Sequence, residues 1–325
     1  MRAVTISGEG PAGKLTTTAV NLPEPGAGEI LIDVASSGVN RADLLQRAGL
    51  YPPPPGAPEW PGLEISGTVR RLGAGVSSRR VGDEVVALLA GGGYAEQVVV
   101  GEDQTLPVPD GVDLVDAAAL PEAVCTAWTN LVDAGRLRDG ETLLVQGGSG
   151  GVGSIAVQLG AALGARVVTT AGGPERVARC RTLGASAVVD HRREDVVAAV
   201  REATDGRGAD VVLDVLGGGA LRDNVRVLAP GGRLVVIGLQ QGRTGELDLA
   251  RLMAKRATVT GTTLRSRSPQ EKAEILAAVA EHVWPLVTQG RLRPVVHARL
   301  PLDAADAAHD LLESGEVFGK VLLVP

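Results

Sequence analysis

Two textures of apolar and polar positions divide the chain. Up to about residue 120, short β-rich runs are cut at close intervals by Gly and Pro. The run 29–35 follows the turn Pro25-Gly26-Ala27-Gly28 and predicts a strand. The run 68–72, ended by Gly73, predicts another. A Gly-Asp turn opens a third over 81–87, and a fourth begins near Ala95 and is closed by Pro107 and Pro109. Many short strands with this punctuation predict a barrel-like β domain.

From near Ala117 to about Thr263, apolar runs alternate with helical stretches. Strands are expected over 142–146, 166–170, 187–190, 210–214, 233–238 and 258–262. Helices are expected over 152–163, 174–183, 192–203 and 219–228. Strand-helix alternation predicts a doubly wound parallel sheet, and six strands complete a dinucleotide-binding sheet. A long helix over 269–289, a strand over 295–299, a short helix and a last strand over 320–324 return to a mixed pattern. The expected division is therefore 1–120 as a β-rich domain, 121–263 as the dinucleotide-binding domain, and 264–325 as a segment rejoining the first.

Composition narrows the picture. At 325 residues the chain has length for about two domains. Aromatic residues are only 2%, so the core must be built from Val, Leu, Ile and Ala, as in buried parallel sheets. A net charge of −6 argues against a general nucleic-acid binder. Cys125 and Cys180 alone make neither a disulfide framework nor a cysteine zinc site, and suggest a reducing compartment. The sequence starts without an apolar signal core, and its apolar runs fall short of the roughly 20 residues of a membrane span. A soluble cytoplasmic protein is expected, with no membrane and no nucleic-acid partner.

The strand at 142–146 runs straight into Gly147-Gly148-Ser149-Gly150-Gly151-Val152-Gly153 and a helix. Gly148, Gly150 and Gly153 fit G-x-G-x-x-G. Glycines here permit a tight turn and close approach of a pyrophosphate, and the helix N-terminus favours the anion. Context makes the motif specific, because it lies between a strand and a helix. An NAD site usually carries an acid at the end of the second strand to bind the ribose 2′-hydroxyl. This strand ends Thr169-Thr170-Ala171-Gly172-Gly173 without one, and Arg176 follows, with Arg192 and Arg193 beyond the third strand. A guanidinium binds phosphate well, so NADPH is the expected cofactor, although Glu175 lies beside Arg176. The same missing acid argues against a methyltransferase using the loop for S-adenosylmethionine.

The stretch 62–76, GLEISGTVRRLGAGV, resembles the signature of medium-chain dehydrogenases/reductases. In the zinc enzymes of that superfamily a His ligand stands in the place of Leu63 and a Cys ligand in the place of Asn40. The chain thus resembles a zinc-free member, and no metal is expected. Residues 40–47, 49–54, 118–123 and 264–267 resemble the quinone oxidoreductase branch, in particular the tumour-suppressor-inducible type. That resemblance covers nearly the whole chain. It implies a GroES-like catalytic domain with a Rossmann domain, NADPH and a homodimer.

Carried over by position, the resemblance implies Asn40, Gln46 and Thr126 near the nicotinamide and Tyr51 facing the substrate. It implies Gly150, Val152 and Gly153 at the pyrophosphate, and Gly172, Gly173, Arg176 and His191 around the adenosine ribose and its phosphate. Gly238, Leu239, Gln240, Leu264, Phe318, Gly319 and Lys320 would close over the nicotinamide half. The family often has Ser or Thr at position 173 and Tyr at 191, where this chain has Gly and His.

Quinone reduction suits a metal-free site, because hydride addition restores an aromatic ring and spreads the charge. An enone is the other acceptor of this kind, and enone reduction is the alternative activity; a non-catalytic, crystallin-like binding role is a further one. Tyr51 and Asn40 are the candidate catalytic residues, as donor to the acceptor oxygen and as its orienting amide. The run 258–264 is β-branched, uncharged and free of Pro, so it predicts an unblunted edge strand and a homodimer formed through the dinucleotide-binding domains.

Overall fold

The computed structural model describes residues 1–8 and 13–325. The chain begins with an antiparallel pair, β1 (Arg2–Ser7) and β2 (Lys14–Ala19). β3 (Glu29–Gly38), β4 (Glu64–Leu72), β5 (Glu84–Leu88), β6 (Gln97–Gly101) and β7 (Thr105–Pro107) follow. The middle of the chain supplies β8 (Thr142–Val145), β9 (Arg166–Ala171), β10 (Ala187–Asp190), β11 (Ala209–Asp214), β12 (Leu228–Val236) and β13 (Thr258–Gly261). β14 (Val296–Pro301) and β15 (Lys320–Val324) end it.

These elements form two compact units, Met1–Cys125 with Leu264–Pro325, and Thr126–Thr263. In the first, the sheet order is β14-β15-β3-β4-β5-β7, with β6 also on β3. β3 pairs antiparallel with β4, β6 and β15, while β14 and β15 run parallel. Alternate residues of these strands turn inward, among them Ile30, Ile32, Ile65, Val85, Val98 and Val100. The return of β15 onto β3 lays Leu322 beside Gly38, which brings the last strand to the end of β3 where the site begins.

In the second unit all six strands are parallel, in the order β10-β9-β8-β11-β12-β13. Leu143, Leu144 and Val145 are consecutive and fully buried, as expected of a strand covered on both faces. The order reverses at β8, so the loop leaving β8 stands at the switch point where such sheets bind ligands. The α/β fold class expected from the sequence, with a GroES-like β-rich unit and a Rossmann sheet, is the one observed.

Several elements differ from expectation for identifiable reasons. The strand expected from Ala95 to Pro107 is two strands joined by a 3₁₀ turn at Glu102–Gln104. The helix expected over 269–289 is broken into Pro269–His282 and Trp284–Thr288. Pro285, without an N–H, opens the second piece. The helix expected from Arg192 begins only at Val196, capped by the Asp195 side chain on the Ala198 N–H at 2.9 Å. Helix Arg41–Arg47 and the π-helical turn Thr129–Ala134 were not expected, being too short for apolar periodicity to reveal. Among the described residues, no helix is long and apolar enough to cross a membrane.

Candidate active site

The first unit buries a set of charged groups where β3, β4 and β15 meet. Asn40 caps the helix Arg41–Arg47 from extended backbone, and its N–H donates to Asp43 Oδ2 at 2.8 Å. Its side-chain Nδ2 donates to Glu64 Oε1 at 2.9 Å, and its Oδ1 accepts from Lys320 Nζ at 2.6 Å. Lys320 also ion-pairs with Glu64 Oε1. Glu64 is fully buried and Lys320 is 4% exposed. Gly38 makes room for this pair, because a Cβ there would lie within 2.8 Å of the Glu64 side chain. Glu64 Oε2 takes the backbone N–H of Glu122, in the first turn of helix Pro121–Trp128, at 2.8 Å. Every polar atom of the Glu64 carboxylate is thus engaged. Desolvating such a pair is expensive, and only full hydrogen bonding offsets the cost.

Asp43 stands beside it with three donors: Asn40 N–H, Gly62 N–H at 3.0 Å and the Tyr94 hydroxyl at 3.2 Å. Burial nevertheless pushes its carboxyl up to about 6. Tyr94 hydrogen-bonds His309 Nε2 at 3.1 Å, with the rings edge to face. Burial holds the His309 imidazole down at about 3, so it is neutral at physiological pH. The chain His309–Tyr94–Asp43 therefore ends on the backbone of Asn40 and fixes it.

Arg265 organises a second cluster in the same unit and is 4% exposed. It donates to Gln46 Oε1 at 2.7 Å, to Ala90 C=O at 2.7 Å and to Tyr51 C=O at 3.1 Å. Its guanidinium carbon lies 5.2 Å from the Tyr51 ring centroid, a cation–π contact. Gln46 donates in turn to Glu59 C=O at 2.7 Å. Both ends of the Gln46 amide therefore pin the loop that carries Tyr51. Tyr51 is half-buried, and burial raises its phenol above the usual value. Sequence reasoning noted Arg265 only as part of a similar stretch. Its buried role carries no local signal, because its partner Gln46 is 219 residues away.

In the second unit, the glycine loop leads from β8 into helix Gly151–Ala162. A Cβ on Gly148 would collide with the Thr169 hydroxyl, and one on Gly153 with the carbonyl of Gly147. These two glycines are there for packing. Gly150 is different: a Cβ there meets only the Gly147 oxygen, at 3.5 Å. Thr170, one residue before the end of β9, is turned inward, accepting from Gly147 N–H at 2.9 Å and donating to Gln146 Oε1 at 3.0 Å. Where NAD sites keep an acid, this chain thus spends a hydroxyl on holding the loop. Asp190, at the end of β10, accepts from Gly173 N–H at 3.0 Å and Arg192 N–H at 3.1 Å, which holds its carboxyl below the usual range. The space above Gly172 is edged by His191 Nε2 and Arg192 Nε, 3.0 and 2.8 Å from where a Cβ would stand.

The residues implied by resemblance therefore fall into separate groups. Gly150, Val152 and Gly153 lie on one loop, and Gly172 and His191 come together at the ends of β9 and β10, with Gly173 and Arg176 just after β9. Arg192, noted only as lying beyond the third strand, edges that pocket too. Gly238, Leu239 and Gln240 follow β12, where Gln240 N–H donates to Val215 C=O at 3.2 Å and Leu239 is exposed. Thr126 opens this unit, its C=O accepting from Asn130 Nδ2 at 2.7 Å. In the first unit, Leu264 and Phe318 are buried, and Gly319 has the positive φ that lets it approach the Val295 carbonyl. Lys320 is joined to Asn40 and Glu64 inside the unit.

The donor set does not fit zinc. Leu63 is a buried hydrocarbon, the Asn40 amide is fully used, and the neighbouring carboxylate already holds an ammonium ion. The cradle does fit a dinucleotide, since Gly150 is backbone left bare where a phosphate would approach, and Gly172 is edged by the nitrogens of His191 and Arg192.

Residues 26–110 match the alcohol dehydrogenase GroES-like domain family, and residues 151–281 the zinc-binding dehydrogenase family. A quinone oxidoreductase of Rattus norvegicus is 32% identical, covering 100% of this chain and 98% of its own. The crystal structure of Escherichia coli quinone oxidoreductase complexed with NADPH superimposes with a TM-score of 0.88 at 29% identity, over 100% of this chain and 99% of that one. A crystal structure of an NAD-dependent alcohol dehydrogenase superimposes with a TM-score of 0.89 at 32% identity, over the full length of both. With both domain families matched in order and quinone oxidoreductases similar from end to end, the chain is an oxidoreductase that belongs to the medium-chain dehydrogenase/reductase superfamily, in its quinone oxidoreductase family.

Proposed function

We propose that this enzyme transfers hydride from NADPH to a quinone without a metal ion. The observation that carries the reading is the buried Lys320–Glu64–Asn40 cluster. It holds the Lys320 ammonium on Glu64 and on Asn40, the residue that resemblance puts in the place of a zinc relative's Cys ligand, which supports a site without a Lewis acid. An acceptor that needs strong polarisation of one oxygen would be poorly served here. A quinone, whose charge spreads over an aromatic ring, would not.

Bound NADPH would supply the hydride. Gly150, Val152 and Gly153 would receive its pyrophosphate at the start of helix Gly151–Ala162. Gly172, Gly173, Arg176 and His191, joined by Arg192, would surround the ribose phosphate, with no acid at the end of β9 to repel it. Tyr51 would donate to the acceptor oxygen, and Asn40, its amide engaged by Glu64 and Lys320, would form a fixed wall beside the acceptor rather than bind it by its own hydrogen bonds. NADPH and NADH oxidation should be assayed against quinones and enones, with and without exhaustive chelation. Chelator-resistant turnover of quinones with NADPH is expected. Turnover confined to enones, equal use of both cofactors, or a stoichiometric zinc required for activity would overturn the respective part of this reading.

For the protein partner we propose a second copy, paired through β13, and a cytoplasmic location in keeping with two buried cysteines that form no disulfide. β13 is one edge of the parallel sheet. Thr262 N–H bonds Val236 C=O, so strand alternation turns the N–H groups of Val259 and Gly261 outward. Thr260 points its N–H to β12, which makes Gly261, with open space around it, the right place for a blocking Pro. Light scattering should give about twice 33.2 kDa for the wild type and the single mass for Gly261→Pro. A monomeric wild type would refute the pairing.

A further inference from the structure

Arg265 is a buried cation that touches no anion. A guanidinium does not shed its proton, so it cannot escape the cost of burial as a lysine or a carboxyl group can. Buried charges are therefore normally paired. Lys320, 4% exposed like Arg265, obeys this rule on Glu64. Arg265 departs from it. Its three acceptors, Gln46 Oε1, Ala90 C=O and Tyr51 C=O, are all neutral, and it makes no ion pair among the described residues. Asp43 on helix Arg41–Arg47 and Glu122 on helix Pro121–Trp128 attract it without pairing with it, and Lys272 on helix Pro269–His282 adds a second positive charge.

An aromatic face completes its surroundings. The guanidinium carbon lies over the Tyr51 ring, 5.2 Å from the centroid, while the same side chain holds the Tyr51 carbonyl at 3.1 Å. Arg265 thus fixes this residue by its backbone and by its ring. A phenolate spreads its charge into the ring, so a cation over the ring face attracts the ionised form more strongly than the neutral one. Burial opposes ionisation of Tyr51, Arg265 favours it and Glu122 opposes it.

We propose that Arg265 is a positioning residue that fixes Tyr51 and, as a buried cation over its ring, supports the negative charge that hydride transfer creates. The proposal rests on the hydride-transfer reading above. Hydride addition leaves the quinone two electrons richer, as the hydroquinone monoanion. The Tyr51 O–H bond breaks as the anionic oxygen takes its proton, which leaves a phenolate under the guanidinium. Water returns a proton to the half-buried phenolate, so that one NADPH and one proton are consumed per hydroquinone. A residue that only braced the loop would be better served by a neutral amide, which holds carbonyls without burying a charge.

The chain has only two tyrosines, and burial with the Asp43 carboxyl pushes ionisation of Tyr94 well above the usual range. Tyrosinate absorbance of the cofactor-free protein, followed as pH rises, therefore reports Tyr51 first, with Tyr51→Phe as the blank. Arg265→Gln should move that ionisation to higher pH, and Arg265→Lys should leave it nearer the wild type. An unmoved ionisation overturns the proposal. A shift to lower pH does so too, since it is the result expected if Arg265 only packs the ring away from water. In assays with NADPH and a benzoquinone, Arg265→Gln should lower kcat about tenfold with little change in KM, and Arg265→Lys should recover part of it. In a Tyr51→Phe background Arg265→Gln should cost less than about twofold, whereas losses that multiply overturn the action through Tyr51. If Arg265→Gln fails to fold, the wild type alone decides. A nitrophenol should bind the cofactor-free wild type at least about tenfold tighter as its phenolate than as its phenol, and absence of that preference, or of binding, overturns the proposal. A wild type inert toward every quinone overturns the hydride-transfer reading instead, and is recognisable because the tyrosinate titration needs no turnover.

Discussion

The two units build their candidate sites from opposite materials. In the second unit the site is backbone: glycines whose missing side chains leave room, and a helix N-terminus. In the first it is side chains that hold one another: Lys320 on Glu64, Asn40 between them, Arg265 on Gln46. A site made of absent atoms breaks when atoms are added. A site made of mutual support breaks when any member is removed. Each therefore has its own signature under mutation.

The largest effect is expected at Lys320. Lys320→Met leaves Glu64 buried without its counter-charge, which should lower unfolding free energy by about 3–5 kcal/mol in urea titrations. Glu64→Gln combined with Lys320→Met should recover most of it. If the single variant were as stable as the wild type, the cluster would not be mutually supporting and the contrast between the units would fail.

The glycine loop should respond in the reverse sense. Gly148→Ala and Gly153→Ala force a methyl against a fixed neighbour and should each destabilise by about 1–3 kcal/mol. Gly150→Ala makes only an ordinary van der Waals contact with the Gly147 oxygen, so its stability should stay within about 0.5 kcal/mol of wild type. Its NADPH dissociation constant should still rise at least about tenfold, or about 1.4 kcal/mol. Thermal melts with calorimetric titration separate the two effects. Unchanged NADPH binding in Gly150→Ala would move the pyrophosphate elsewhere.

Tyr94→Phe strips one donor from Asp43 and one partner from His309, and should cost about 1–3 kcal/mol. The same chain carries a pH signature. His309 is held at about 3 against an ordinary 6.5, so below pH 6.5 the unfolded chain binds a proton that the folded one refuses. Its contribution to stability is present above pH 6.5 and is lost as pH falls toward 3. His309→Gln should flatten that slope in urea titrations run from pH 7 to 4. An unaltered slope would mean His309 is not the group excluded from protonation.

The smallest effect is expected at the half-buried Arg176. Arg176→Ala should weaken NADPH binding by about tenfold and leave NADH nearly unchanged, as measured by fluorescence titration. Equal losses for both would show that its contact is not with the ribose phosphate.

How much of this was legible depends on the range of each interaction. The parallel sheet was readable because its central strands, β8 and β11, are apolar on both faces and its helices follow at regular intervals. The glycine loop was readable because a turn, its phosphate cradle and its helix lie within seven residues, Gly147 to Gly153. Thr170 was read as the mere absence of an acid. Only the folded loop shows its hydroxyl tied to Gly147 and Gln146. Elements failed where local rules were outweighed: Pro285 splits an otherwise continuous helical pattern, and Asp195 delays a helix by capping it. Helix Arg41–Arg47 escaped because two turns carry too little periodicity, although its Asn-x-x-Asp start is a capping signal.

The sequence by itself determined the fold class and the glycine loop, which follow from spacing, periodicity and residue chemistry acting over a few residues; its resemblance to the zinc enzymes marked Leu63 and Asn40 as positions without a zinc donor. Only the tertiary structure decided what replaced the metal's neighbours. Lys320 meets Glu64 across 256 residues and Asn40 across 280, and Arg265 meets Gln46 across 219. No local pattern encodes such pairings. They arise because β15 returns to lie on β3, and because a buried charge must find its partner wherever the fold brings one.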